Sequence, residues 1–198
     1  MENIATIFFA KIVAFFMPAL EHIGKTMNQK ILLDSGKIRK RVAELAAEID
    51  AWGGESQSAV AAIWLAEGAL FFAADLLRLV HLPELEIHSL KVSSYGNEMT
   101  AQSAPKLMSP LPDVDGKRVL LIDDVLDTGK TLEEVSKILK ANGAAEVKIC
   151  VLLKKTCKTE NCLSPDFAGF EVGNEFAFGY GMDIYGTKRE LADIMVVG

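Results

Sequence analysis

The run Val119–Leu132, VLLIDDVLDTGKTL, decides how the chain folds. Four apolar residues, Val119 to Ile122, lead into two adjacent acids, Asp123 and Asp124. Val125, Leu126 and a polar loop, Asp127-Thr128-Gly129-Lys130-Thr131, come next. Leu132, Val135, Ile138 and Leu139 then recur at helical spacing, with Gly143 as a stop signal. A second apolar run, Val147–Leu153, completes a strand, loop, helix, strand unit. Such a unit predicts a parallel sheet with a crossover helix.

In open sheets of this kind, ligands bind at the carboxyl ends of the strands, where this loop lies. Gly129 permits a tight turn. Thr128 and Thr131 place hydroxyls beside the amides of a helix N-terminus, which suits a phosphate. Asp123 and Asp124 suit sugar hydroxyls or Mg²⁺. A ligand carrying both a phosphate and a diol would use both halves. A bare Asp-Thr-Gly turn would read equally well as a capped loop; the length of the run favours a site. A nucleotide P-loop fits less well. Gly129-Lys130-Thr131 copies its end, but position 124 is Asp where that motif needs Gly.

The chain has 198 residues, enough for one α/β domain with a sizeable core. Its net charge of −6 argues against a general nucleic-acid binder. Cys150, Cys157 and Cys162 are odd in number, lack metal-type spacing and lie far in sequence from His22, His81 and His88. They are expected to be reduced thiols of a cytoplasmic protein.

The segment Ile4–Leu20 is apolar apart from Lys11, near the lower length for a membrane span. It has no basic n-region and no evident cleavage site. A docking helix, a membrane anchor and a stretch upstream of a start at Met27 all remain open. The expectation is a dispensable extension, 1–26, before a single domain, 27–198. Ile31–Asp34 reads as a short strand. The helix after it has the apolar face Ile38, Val42, Leu45, Ala46 and Ile49, and breaks at Trp52-Gly53-Gly54. Val60–Leu65 is a buried strand, Ala66-Glu67-Gly68 a turn, Leu70–Val80 a helix and Leu85–Ser94 a half-buried strand. A long polar loop, Tyr95–Ser109, follows. Ile194–Val197 is the last strand.

The run around Asp123 to Thr131 resembles the binding motif of type I phosphoribosyltransferases. From about Gln29 to Val197 the chain resembles hypoxanthine (or hypoxanthine-guanine) phosphoribosyltransferases. The likeness rests on Val92-Ser93-Ser94-Tyr95-Gly96, Leu152-Leu153-Lys154-Lys155, Asp166–Val172, Phe176, Tyr180-Gly181-Met182-Asp183 and Arg189. It implies a Rossmann-like α/β core, a mostly parallel sheet flanked by helices, and a small hood built from the N-terminal strand and the C-terminal region. It implies purine salvage. A 5-phosphoribosyl group would pass from phosphoribosyl pyrophosphate (PRPP) to N9 of hypoxanthine or guanine, with Mg²⁺, giving IMP or GMP and pyrophosphate.

The resemblance also implies roles. Asp123 and Asp124 would hold the ribose hydroxyls and a metal. Asp127, Thr128, Gly129, Lys130 and Thr131 would hold the 5′-phosphate side of PRPP, with Asp127 as general base or acceptor at purine N7. Glu67, Gly68 and Arg189 would meet pyrophosphate. Lys155 would donate to the 6-oxo oxygen, although adjacent Lys154 leaves two lysines to choose from. Phe176 would stack on the base and the backbone of Ala177 would bond its edge. Asp183 would complete the purine site and help hold Mg²⁺. Ser94 and Tyr95 would close over the centre. The implied partners are PRPP and a 6-oxopurine, with no nucleic acid and no membrane, in a homodimer or homotetramer.

Two positions depart from the family's pattern. Ala66-Glu67-Gly68 stands where Leu-Lys-Gly is usual, and Ser93 stands where some members carry a basic residue. A Glu67 carboxylate facing pyrophosphate at about 6 Å would be repelled by roughly 3 kcal/mol per unit charge at an effective dielectric near 20. Glu67 is therefore expected to turn outward, leaving its backbone N–H to the ligand. The rival reading is a regulatory protein of the same fold that senses PRPP or a nucleotide without catalysis. Glu67 favours it; Asp127, Lys155, Asp183 and Arg189 oppose it.

Overall fold

Strands β2 (Val60–Ala66), β5 (Arg118–Leu126) and β6 (Glu146–Lys155) are apolar on both faces along most of their length. Such strands must be covered on both sides, which a parallel sheet with crossover helices provides. A computed structural model describes residues 29–54, 58–82, 84–93, 106–156 and 162–197 and shows this arrangement. Six strands form the main sheet in the order β4-β3-β2-β5-β6-β7. Here β3 is Leu85–Ser93, β4 is Lys106–Leu107 and β7 is Phe167–Val172. All neighbours are parallel except β4, which runs antiparallel to β3.

Alternation along each strand sorts the core into two layers. Val60, Ala62, Leu120, Ile122, Cys150 and Leu152 pack with helices α1 (Ser35–Gly54) and α2 (Leu70–Leu77). Ala61, Ile63, Leu121, Ile149 and Val151 pack under α3 (Lys130–Ala141), which buries Leu132, Val135 and Leu139. The predicted face of α1 is buried residue for residue. A separate antiparallel sheet joins β1 (Gln29–Leu33), β9 (Ile194–Val197) and β8 (Ala177–Phe178). This is the expected hood of N-terminal strand and C-terminal region.

Several boundaries differ from expectation: β1 covers Gln29–Leu33 rather than Ile31–Asp34, and β4 lies inside the stretch read as a loop. Strand β5 continues through Asp123 and Asp124 to Leu126, because Asp123 and Val125 stay in register with Val151 and Leu153 of β6. Helix α2 ends at Leu77 rather than Val80. Helix α1 does not break at Trp52 but runs to Gly54. The last carbonyls of a helix lack partners within it. Arg118, from the start of β5, supplies them: Nη2 donates to the Trp52 carbonyl at 2.9 Å and Nη1 to the Gly53 carbonyl at 3.2 Å. Its guanidinium lies 4.2 Å from the Trp52 ring centroid and meets Glu146 at 3.0 Å. Trp52 Nε1 donates to the same Glu146 oxygen at 3.1 Å.

This clamp ties α1 to the end of the sheet remote from the loop after β5. Arg118→Ala removes the cation and leaves two buried carbonyls without donors. Charge-assisted hydrogen bonds of this kind support a loss of about 2 kcal/mol, read as a lower denaturant midpoint at unchanged slope. An unchanged midpoint would mean that water caps the helix as well as Arg118 does.

Cys150 is free, and its burial pushes the thiol well up, so it is a packed apolar group and not a nucleophile. Cys162 is disulfide-bonded, which corrects the expectation of three reduced thiols. Cys157 and the apolar run Ile4–Leu20 lie outside the described residues. Among those described, no helix is long and apolar enough to cross a membrane.

Candidate functional site

The chain leaves β2 toward β3 on one side, and leaves β5 toward β6 and β7 on the other. The crevice outside the carboxyl ends of β2 and β5 is therefore a topological switch point, where open α/β sheets bind ligands. The turn Glu67-Gly68 leaves β2 there, and the turn Asp127-Thr128-Gly129 leads from β5 into α3. Two adjoining cavities occupy this place. One, of about 260 Å³, is lined by Leu65, Ala66, Gly68, Val92 and the whole run Asp123 to Leu132. The other, of about 400 Å³, is lined by Gly68, Asp124, Val125, Asp127, Lys155, Phe176, Ala177, Met182, Asp183 and Arg189. Gly68, Asp124, Val125 and Asp127 belong to both.

The first cavity has the chemistry of a phosphate and sugar site. Gly129 has a φ of +77°, which a side chain would strain. Leu163 packs where its Cβ would stand, 2.6 Å from the Leu163 Cβ. This turn starts α3 with no side-chain capping hydrogen bond. The first amides of a helix have no partner within it, which is what an anion site uses. Beside them, Asp123 Oδ1 accepts from the Asp124 amide at 3.0 Å, and Asp124 Oδ1 from the Val125 amide at 2.9 Å. Burial, with the neighbouring Asp124 carboxylate, pushes the Asp123 carboxyl well above the usual carboxylate range. A cation or a hydroxyl donor brought to the pair would relieve that cost.

The second cavity combines one aromatic wall with several polar and charged groups. Phe176 stands at its wall, 57% exposed, with Ala177 behind it at the start of β8. The Lys155 ammonium lies 3.5 Å from Asp127 Oδ2. Lys154 points elsewhere, pairing with Glu171 at 2.8 Å. Strand alternation thus decides between the adjacent lysines: Lys155 faces the cavity.

Between the cavities, Gly68 and Gly181 let chains approach closely. A Cβ on Gly68 would stand 2.0 Å from Asp124 Oδ2, and one on Gly181 would stand 2.1 Å from the Gly68 carbonyl oxygen. Arg189 is fixed in this corner. Nη1 donates to the Gly181 carbonyl at 2.7 Å, and Nη2 meets Asp183 Oδ1 at 2.8 Å. Asp183 Oδ2 accepts from the Gly186 amide at 2.7 Å. Among the described residues no three His, Cys, Asp or Glu groups gather into a ready metal cluster.

Glu67 is exposed, as expected, but it does not turn away from the corner. Its Oε2 lies 3.8 Å from Arg189 Nη2 and its Oε1 accepts from Lys91 Nζ at 3.2 Å. Both of these basic partners belong to its own chain. The structure thus gathers every candidate site residue except Ser94 and Tyr95, which lie outside the described residues. The sequence reading passed over Lys91, and it named Gly181 and Met182 only within the run Tyr180–Asp183, with no role of their own. Lys91 is detectable from its place near the carboxyl end of a parallel strand. Gly181 is marked by the Gly-Tyr-Gly run.

Comparisons with known proteins show the family and the fold. The phosphoribosyl transferase domain family matches residues 28–184. Hypoxanthine phosphoribosyltransferase of Haemophilus influenzae is 36% identical over 172 residues, covering 86% of this chain and 96% of that protein. Hypoxanthine-guanine phosphoribosyltransferase of Aquifex aeolicus is also 36% identical over 172 residues, covering 85% and 94%. Among solved structures, a hypoxanthine-guanine phosphoribosyltransferase of Bacillus anthracis superposes with a TM-score of 0.78 at 28% identity. It covers 85% of this chain and 98% of that one.

Proposed function

The chain belongs to the phosphoribosyltransferase family, and from that premise we propose that it transfers a 5-phosphoribosyl group from PRPP to N9 of hypoxanthine or guanine. The observation that carries this reading is the Lys155–Asp127 pair, 3.5 Å apart in the lining of the second cavity. On a 6-oxopurine, O6 and N7 are neighbours on one edge. An ammonium and a carboxylate side by side match them, one donating to O6 and the other accepting from N7–H. Relatives named as hypoxanthine phosphoribosyltransferases support catalysis over the regulatory alternative.

In this reading the 5′-phosphate rests on the first amides of α3 and on Thr128, Lys130 and Thr131, with Gly129 giving the turn. Asp123 and Asp124 take the ribose hydroxyls. Phe176 stacks on the base and the Ala177 backbone bonds its edge. As the bond from ribose C1 to pyrophosphate breaks, positive charge builds at C1, and the nearby carboxylates stabilise it. N9 forms the new bond to C1, and the N7 proton passes to Asp127. Arg189 and the Gly68 amide receive the leaving pyrophosphate. Ser94 and Tyr95 would close over the centre and keep water out.

Mg²⁺ binds readily to one or two carboxylates together with phosphate oxygens, so separated acids rather than a closed cage suit it. Asp183 on one side and Asp123 with Asp124 on the other would hold it, and it would neutralise charge on the phosphate oxygens. We place the working domain at 27–198, with 1–26 a dispensable extension. A cytoplasmic setting and a homodimer or homotetramer belong to the same reading.

Transfer requires that IMP and pyrophosphate appear one for one from PRPP and hypoxanthine. Chromatographic quantification of both products tests it. Pyrophosphate released without nucleotide would mean hydrolysis of PRPP and would overturn the reading.

A further inference from the structure

We propose that Glu67 is a built-in counter-anion of the pyrophosphate subsite and that Lys91 is a second cation of that subsite, freed when the ligand displaces Glu67. The inference rests on the transferase reading above, which places leaving pyrophosphate beside Gly68 and Arg189. The two oxygens of the Glu67 carboxylate engage two different cations: Oε1 accepts from Lys91 at 3.2 Å and Oε2 lies 3.8 Å from Arg189. One side chain thus spans a cation from β3 and a cation from the C-terminal turn, as an anionic ligand would.

The backbone makes the span possible. Ala66, the last residue of β2, is in register with Lys91 of β3, so Glu67 emerges beside the Lys91 side chain. Lys91 lies two residues before Ser93 on the same strand and therefore on the same face. The positive charge absent at position 93 is supplied two residues back, beside Glu67.

Charge balance gives the pairing a consequence. In this corner Lys91 and Arg189 are matched by Glu67 and Asp183, so pyrophosphate gains no net attraction until a carboxylate leaves. Asp183 is tied to Arg189 at 2.8 Å and to the Gly186 amide at 2.7 Å. Glu67 is the one able to leave: its side chain is 61% exposed, and that of Lys91 is 59% exposed. Exposed ion pairs of this kind hold weakly, so displacement costs about a fivefold factor in affinity and no more. Glu67 therefore keeps the subsite from holding its product tightly and speeds release, while Lys91 still gives an incoming anion a second contact.

Calorimetric titration with magnesium pyrophosphate tests this on the natural chain and three variants. Glu67→Gln should bind about fivefold more tightly, and Lys91→Met about fivefold more weakly, both effects shrinking as salt is raised. Lys91→Arg, which keeps the charge, should stay within about twofold of the natural chain. Both positions are exposed, so melting temperatures should not move and folding does not enter. Single variants that both stay within about twofold would show ordinary surface pairs and overturn the proposal. Weaker binding by Glu67→Gln, or no pyrophosphate binding by any of the four, would also overturn it. The expected shifts in a chain that forms no IMP would leave this inference standing and remove the catalytic reading instead.

Discussion

Asp127→Asn should lower kcat for IMP formation by about 10²- to 10⁴-fold, the usual contribution of a positioned general base. The substitution keeps the shape of the side chain and removes its charge and basicity. Asp127 stands in the loop after β5, its side chain 66% exposed, so the change does not threaten the fold. Its carboxylate reaches Lys155 rather than the amides at the start of α3, so affinity for PRPP should change little. Steady-state kinetics in both substrates separate the two effects. A normal kcat in the variant would leave Asp127 as a loop residue with no chemical part.

Adenine should be a substrate worse than hypoxanthine by about 10²- to 10³-fold in kcat/KM. Lys155 has three donors and no acceptor. In the proposed reading it meets an oxygen of hypoxanthine. Against adenine it meets an amino group, and donor faces donor at a side chain only 18% exposed. A lost charge-assisted hydrogen bond and a poorly solvated ammonium together cost about 3–4 kcal/mol, which is the ratio stated. Lys155→Gln, whose amide can turn its oxygen to an amino group, should close most of the gap. Equal use of the two bases by the natural chain would mean that Lys155 does not read position 6.

The loop after β5 was legible from sequence because its chemistry is local. A glycine turn, two hydroxyls and a helix start lie within a few residues, and the fold only has to present them. The hood was legible because Ile31–Asp34 and Ile194–Val197 each look like strands. Their pairing in one sheet came from the resemblance and not from any local pattern. The choice between Lys154 and Lys155 needed the strand register, since one residue's shift turns a side chain to the other face.

Other features were hidden because they depend on contacts distant in sequence. Helix α1 outlasts its Trp-Gly-Gly end only because Arg118, far along the chain, caps it. Glu67 was expected to face outward on a pairwise argument about repulsion. That argument omitted Lys91, which the β2–β3 register brings alongside. The thiol at Cys162 was misread because odd cysteine number and spacing carry no information about which cysteines meet in space.

The central claim is that this chain is a catalyst rather than a sensor of PRPP. It is tested most directly by following IMP formation from PRPP and hypoxanthine with the purified natural protein, once with Mg²⁺ and once with a chelator. Sustained turnover that needs both PRPP and Mg²⁺ is the predicted result. No IMP with Mg²⁺ present, from protein that still binds PRPP, would contradict it.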